Sequence, residues 1–277
     1  MRIDAHQHFW DLRRFEYSWM PPEPSVLRQT FLPHLLAGIL ERNRFDGSVL
    51  VQANTILAET HWLLDLAEAN DFIRVVVGWV DLIDPRLGAV LDELQKRPKF
   101  KGVRHPVHDE ADDRWLVRDD VLRGLAELAR RGLPYDLLLR PQHLTLVPRI
   151  AERVPDLRMV IDHIAKPPIA AQVMEPWARD IEAVAGLSQV YCKLSGMITE
   201  AHPESWKAEH LRPYVAHVMR SFGPDLLMFG SDWPVCMLAG SWKEALAAFT
   251  QAIGPQPVEV REKLLGETAA KFYGIER

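Results

Sequence analysis

Eight short apolar runs, separated for the most part by segments of helical periodicity, constrain this chain of 277 residues more than any other feature. They lie at residues 2–8, 47–54, 73–81, 100–106, 133–141, 157–163, 190–196 and 226–234. Such runs, carrying Val, Ile and Leu and closing on polar or ionisable residues, are the pattern of strands buried on both faces. Helical patterns fall at 32–43, 58–69, 87–96, 120–131, 144–154, 174–186, 211–222, 242–251 and 258–267. Strand and helix in alternation make parallel βαβ units, and eight of them close into a (β/α)8 barrel, an α/β fold for which roughly 250 residues is typical. No composition shift or linker divides the chain, so one domain over 1–277 is expected.

With 48% apolar and 26% charged residues the chain can bury a sizeable core and is neither disordered nor membrane-embedded in composition. A net charge of −5 gives no electrostatic reason to expect nucleic acid or an anionic membrane as partner, and a small molecule fits better. Two cysteines, Cys192 and Cys236, are too few for a disulfide framework. The chain opens directly on a strand pattern with no basic segment leading into an apolar one, and no apolar run approaches 18 residues, so a cytoplasmic protein is expected.

In a (β/α)8 barrel the chemistry sits at the C-terminal strand ends. Those ends supply His6 and His8, Gln52 and Asn54, Trp79 and Asp81, Arg104 and His105, Arg140, Asp162 and His163 with Lys166, Lys193 and Ser195, and Asp232 with Trp233. His6 and His8 share a face, because strand side chains alternate with a period of two, and a pair so placed can hold a metal or donate to an oxyanion. Asp232 follows an apolar run and Gly230, where it can ligate a metal or take a proton from water; the structural reading is an Asx-turn. Arg104 and Arg140 read either as rim ion pairs or as bidentate donors to a carboxylate or carbonyl. Ser195 lies outside any G-x-S-x-G elbow and is not read as a nucleophile. Lys193 reads as a hydrogen-bonding rim lysine, with Schiff-base chemistry as the alternative. The aromatic, proline-rich segment 9–22 is either a lid or a loop pinned to the rim by its aromatics.

Five motifs, D-A-H-Q-H-F-W-D at 4–11, K-G-V-R-H at 101–105, D-H-I-A-K-P at 162–167, C-K-L-S-G at 192–196 and F-G-S-D-W-P at 229–234, together resemble the amidohydrolase superfamily. Within it the chain is most similar to the sugar-lactonase branch of L-fuconolactonase and L-rhamnono-lactonase, relatives of 2-pyrone-4,6-dicarboxylate hydrolase. The resemblance implies a distorted (β/α)8 barrel that hydrolyses a lactone C–O bond. It carries His6 and His8 onto the strand-one H-x-H, His163 onto the strand-six histidine and Asp232 onto the strand-eight aspartate. Strand five departs from the pattern: it ends in Leu139-Arg140-Pro141, where binuclear members carry a metal-ligating His or a carboxylated Lys, and Arg140 there would repel a second cation.

The expectation is therefore an enzyme that opens a sugar lactone, with Asp232 as general base and His6, His8 and His163 polarising the carbonyl, while Arg104, His105, Arg140, Lys166 and Trp233 bind substrate. His6, His8, His163 and Asp232 suit one divalent ion, zinc before others, yet a strained lactone is reactive enough to open without a metal. Two other readings stay open: a hydrolase or decarboxylase of an aromatic-derived lactone or dicarboxylate, and a sugar-acid binding barrel without activity.

Overall fold

The computed structural model describes residues 1–276. Eight parallel strands pair in sequential order: β1 Ile3–Gln7, β2 Gly47–Val51, β3 Ile73–Gly78, β4 Phe100–His105, β5 Tyr135–Leu137, β6 Met159–Ile161, β7 Val190–Leu194 and β8 Leu227–Phe229. Helices α1 Pro33–Arg42, α2 Leu57–Glu68, α3 Leu87–Leu94, α4 Asp119–Arg130, α5 Val147–Arg153, α6 Trp177–Ala185 and α7 Ala208–Phe222 connect successive strands after the first. After β8 come α8 Trp242–Ile253, α9 Val258–Glu262 and α10 Thr268–Tyr273. The expected (β/α)8 barrel is thus the observed fold. None of the helices described is long and apolar enough to cross a membrane.

Two apolar clusters follow from the strand alternation. Val49, Val51, Val75, Val77, Val160 and Met228 fill the barrel with Ile3 and Ala5, and α10 contributes Phe272 and Tyr273 to the same cluster. Leu50, Val76, Val103, Leu137 and Leu194 belong to the larger cluster between sheet and helices. Burial of this kind, at roughly 25 cal/mol per Å² of apolar surface, is the main stabilising term. The chain's end differs from expectation: the pattern at 258–267 continues through a π-turn, Lys263–Glu267, into α10, because Ala269, Phe272 and Tyr273 have the barrel interior to bury against.

Closure is the feature that positions the mouth. Between Asp4 and Gln7 the β1–β2 register shifts, three residues of β1 matching two of β2. That extra residue lets Ile3 and Ala5 face the barrel interior and His6 and His8 face it as well, a bulge re-aiming side chains beside a site. β1 then meets the end of β8 through two backbone bonds, Asp232 N–H to His6 O at 2.8 Å and His8 N–H to Trp233 O at 2.7 Å. The buried Asp4 carboxylate fastens the same seam, accepting from the backbone N–H groups of Ser231 (2.8 Å) and His6 (3.3 Å) and from Trp242 Nε1 (2.8 Å). Burial raises its pKa to about 6 against these hydrogen bonds. Gly230 admits His6 at the seam: a Cβ there would stand 2.6 Å from the His6 Cβ.

Replacing Asp4 by Ala strands three buried donors, each worth about 1–3 kcal/mol when left unsatisfied. We expect Asp4→Ala to lose roughly 3 kcal/mol in denaturant melts and to lose activity with it. A melt unchanged from wild type would show that the seam does not depend on Asp4.

Candidate active site

Four predicted residues converge at the C-terminal end of the barrel. His8 Nε2 lies 3.4 Å, His6 Nε2 3.7 Å and His163 Nε2 3.9 Å from Asp232 Oδ1, and the two strand-one Nε2 atoms are 3.1 Å apart. All four side chains are almost completely buried. Each ring is held from behind at Nδ1. His8 Nδ1 donates to Val51 O at 2.8 Å, which leaves its Nε2 lone pair facing the site. His163 Nδ1 shares a hydrogen bond with Ser195 Oγ at 2.8 Å. His6 Nδ1 faces Lys193 Nζ at 3.2 Å and Asp162 Oδ1 at 3.3 Å.

Backbone geometry delivers two of these groups. After β6 the chain runs left-handed through four consecutive non-glycine residues, His163, Ile164, Ala165 and Lys166, with φ of 54°, 46°, 59° and 51°. Asp232 is left-handed too, at φ 59°. Such conformations cost roughly 1–2 kcal/mol per residue and persist where surrounding contacts fix them. Gly196 is what makes room for His163: a Cβ on it would lie 2.6 Å from His163 Nδ1, and its own φ is +61°.

Charge beneath the cluster alternates in sign. Lys193, fully buried, contacts Asp136 Oδ2 (2.6 Å) and Asp162 Oδ1 (3.0 Å), and Tyr273 Oη donates to Asp136 Oδ2 (2.7 Å). Arg104 reaches Asp162 Oδ2 (3.1 Å), His6 Nε2 (3.3 Å) and Gln52 Oε1 (2.7 Å). Burial works against a charge on Asp162, but Lys193, His6 and Arg104 outweigh it and hold its carboxyl well below the usual range. Burial lowers His6 and His163 well below the ordinary imidazole value, so both rings are neutral near pH 7. For Asp232, burial is opposed and exceeded by His163, His8 and Lys166, and its pKa falls below the ordinary carboxylate value.

The structure therefore joins two neutral imidazoles, His6 and His163, and the His8 ring to an ionised carboxylate. Two groups of three have donor atoms close enough to share one metal ion: His6, His8 and Asp232, and His6, Asp162 and His163. Imidazole nitrogens with a carboxylate oxygen form a donor set suited to zinc. Around His6, Arg104 and Lys193 bring two cations close, which disfavours a second divalent ion.

Other sequence-derived assignments change place. Lys193 is at the barrel centre and not on the rim, because the β7 alternation turns it inward with Tyr191. Arg140 lies three residues past the end of β5, exposed, its Nε donating to His108 O. The charge that opposes a second metal therefore comes from Arg104 and Lys193, while the β5 residue facing the interior is Asp136. His105 is fully engaged elsewhere: Nδ1 accepts from Trp79 Nε1 (3.0 Å), Nε2 lies 2.7 Å from Glu110 Oε1, and the ring stacks on Trp115 at 4.1 Å. Trp233 packs edge-on against Phe9 and Phe31. Lys166 stands at the mouth, paired with Glu200 at 2.7 Å. The segment 9–22 is pinned to the rim, with Trp19 Nε1 donating to Ala53 O and Asn54 Nδ2 to Glu16 O.

Four further residues escaped the sequence reading, Asp136 beneath the cluster among them. Asp4 fastens the closure. Glu59 on α2 is fully buried and accepts from the backbone N–H groups of Ala53 and Asn54, with burial raising its pKa to about 7. His108 sits just past β4, its pKa lowered to about 3 by burial and then by Lys166, Arg104 and Arg140. Its Nδ1 is buried without a partner among the described residues. Only Asp136 carried a usable signal, since it is the polar middle residue of an otherwise apolar strand.

The model of the amidohydrolase family matches residues 3–275. L-fucono-1,5-lactonase of Burkholderia ambifaria is 38% identical over 286 residues, which span 100% of this chain and 96% of that one. L-fucono-1,5-lactonase of Burkholderia multivorans is 36% identical over 290 residues, covering 99% and 96%. The crystal structure of an amidohydrolase from Burkholderia multivorans with bound zinc superposes with a TM-score of 0.94 at 34% identity, covering 100% of both chains.

A methyl group placed at residue 196 tests whether the His163 position matters. Gly196→Ala should displace the imidazole and lower kcat/KM by about 100-fold or more, the scale of a misplaced catalytic group. Activity within a factor of two of wild type would show that the reaction does not use His163.

Proposed function

The chain belongs to the amidohydrolase family, and from that membership and the cluster at the barrel mouth we propose that it hydrolyses a sugar aldonolactone of the L-fucono-1,5-lactone kind to the open sugar acid. The two Burkholderia lactonases, similar over the whole chain, support the substrate class. The observation that carries the chemistry is Asp232 Oδ1 with three imidazole Nε2 atoms within 3.9 Å.

In this reading the Asp232 carboxylate takes a proton from a water molecule as the water oxygen bonds to the lactone carbonyl carbon. The carbonyl electron pair moves onto oxygen, and Arg104 Nη1 with His163 Nε2 stabilises the oxyanion in a buried setting where such donors act strongly. Collapse of the tetrahedral adduct breaks the ring C–O bond, and the proton held by Asp232 passes to the departing alkoxide. The sugar acid then releases its carboxyl proton to solvent, and Asp232 is again a carboxylate. Lys166 and Arg140 at the mouth, with His108 between them, would meet the sugar hydroxyls and the product carboxylate. His6, His8 and Asp232 would hold one divalent ion, zinc by donor preference, which when bound polarises the carbonyl and lowers the pKa of water.

Asp232→Asn keeps the shape and removes the base. We expect turnover to fall by about 10³-fold or more with an unchanged melting curve; near-wild-type turnover would sink the mechanism. The depressed pKa values fix the sign of the pH dependence. Asp232 must be ionised and the His6 and His163 rings neutral; burial moves the two rings down and the groups around Asp232 move its carboxyl down, so kcat/KM should stay level from pH 7 to below pH 6.5. A fall centred near pH 6.5, the ordinary imidazole value, would contradict that assignment.

A further inference from the structure

At the opposite face of the barrel, where β4, β5 and β6 begin, lies a cavity of about 300 Å³. Its charged lining is of one sign: Arg97, Lys101, Arg131, Arg158 and Lys271 contribute five cations, and no acidic residue lines it. Two of the five are neutralised from outside the cavity. Arg97 pairs with Asp65 and Glu68, and Arg131 with Asp92 and Glu127. Lys101, Arg158 and Lys271 have no carboxylate within 4.0 Å among the described residues. In a chain of net charge −5, three uncompensated cations around one concavity need a reason.

Arg158 is held in place without being neutralised. Its guanidinium donates to the carbonyls of Phe272 and, at 2.9 Å, Gly132, and lies 5.5 Å from the Phe272 ring centre. A guanidinium fixed by neutral acceptors keeps its full charge and gives up little rotamer freedom when an anion arrives. Lys101 at the start of β4 and Lys271 on α10 approach from two other elements, so the charges converge from three directions. A concave site of this size suits a small molecule better than a macromolecular surface does.

We infer that this cavity binds a small di- or trianion, either a phosphorylated or a polycarboxylate metabolite, at a site separate from the reaction centre. One wall of the cavity is Tyr273, whose hydroxyl donates to Asp136, the carboxylate paired with Lys193 beneath His6. An anion there would sit one hydrogen-bonded chain away from the imidazole cluster.

The test is isothermal titration of the full chain with pyrophosphate and, separately, with citrate, at ionic strength held constant with potassium chloride. The double variant Lys101→Gln/Lys271→Gln serves as control, with its melting curve recorded to establish folding. One saturable site is expected in the wild type, weakened about tenfold or more in the folded double variant, which corresponds to roughly 1.4 kcal/mol. Preference between the two probes identifies phosphate or carboxylate as the recognised group. Absence of saturable heat with both probes up to about 10 mM, a range that covers millimolar affinity, would overturn the site. Equal affinity in the double variant would overturn it too.

Discussion

The seam between β1 and the end of β8 is the constraint on which the mouth of this barrel depends. A parallel barrel closes only if its first and last strands find hydrogen bonds, and here those bonds run through the residues of the imidazole–carboxylate cluster: His6 O accepts from Asp232 N–H, and His8 N–H donates to Trp233 O. The register shift in β1 adds one residue, which turns both histidines inward above Ile3 and Ala5. Closure and the geometry of the cluster are therefore one arrangement. Asp4, which meets Ser231, His6 and Trp242 from outside, holds both at once.

Electrostatics beneath the seam explain why so many ionisable groups tolerate burial. Lys193 stands between Asp136 and Asp162, and Arg104 between Asp162 and Gln52, so each buried charge has an opposite charge or a dipole against it. The result reaches the surface of the site as a choice of protonation states. His6 and His163 are neutral because charging them in this interior is unfavourable, and Asp232 stays ionised because the polar and charged groups around it, Lys166 among them, outweigh its burial. In the proposed reaction, a neutral electrophile beside an ionised base is what water attack on a carbonyl requires.

Most of the architecture was legible because strand and helix periods differ, and eight apolar runs with polar ends leave few alternatives to a barrel. His6, His8, His163 and Asp232 were legible for the same reason, each lying at a strand end. What stayed hidden depends on contacts distant in sequence. Nothing adjacent to Asp4 marks it as the partner of Ser231 and Trp242, and nothing in 162–167 announces four left-handed residues that need Gly196 opposite them. Several runs overreach their strands, and at one the excess moved a residue: the run 133–141 is strand only over Tyr135–Leu137, so Arg140 falls on the rim while Asp136 takes the interior. The last helix escaped because its apolar residues pack inside the barrel, a partner no local pattern reveals.

If this cluster opens a sugar lactone by activated water, protons are released as the ring opens. Proton release on mixing the enzyme with L-fucono-1,5-lactone, measured against the spontaneous rate and beside 2-pyrone-4,6-dicarboxylate, tests it most directly. We expect catalysed opening of the sugar lactone at least ~10⁶-fold above the spontaneous reaction, within the ordinary range of enzymatic acceleration, and little or none of the pyrone. No acceleration with the sugar lactone, or opening of the pyrone alone, would contradict it.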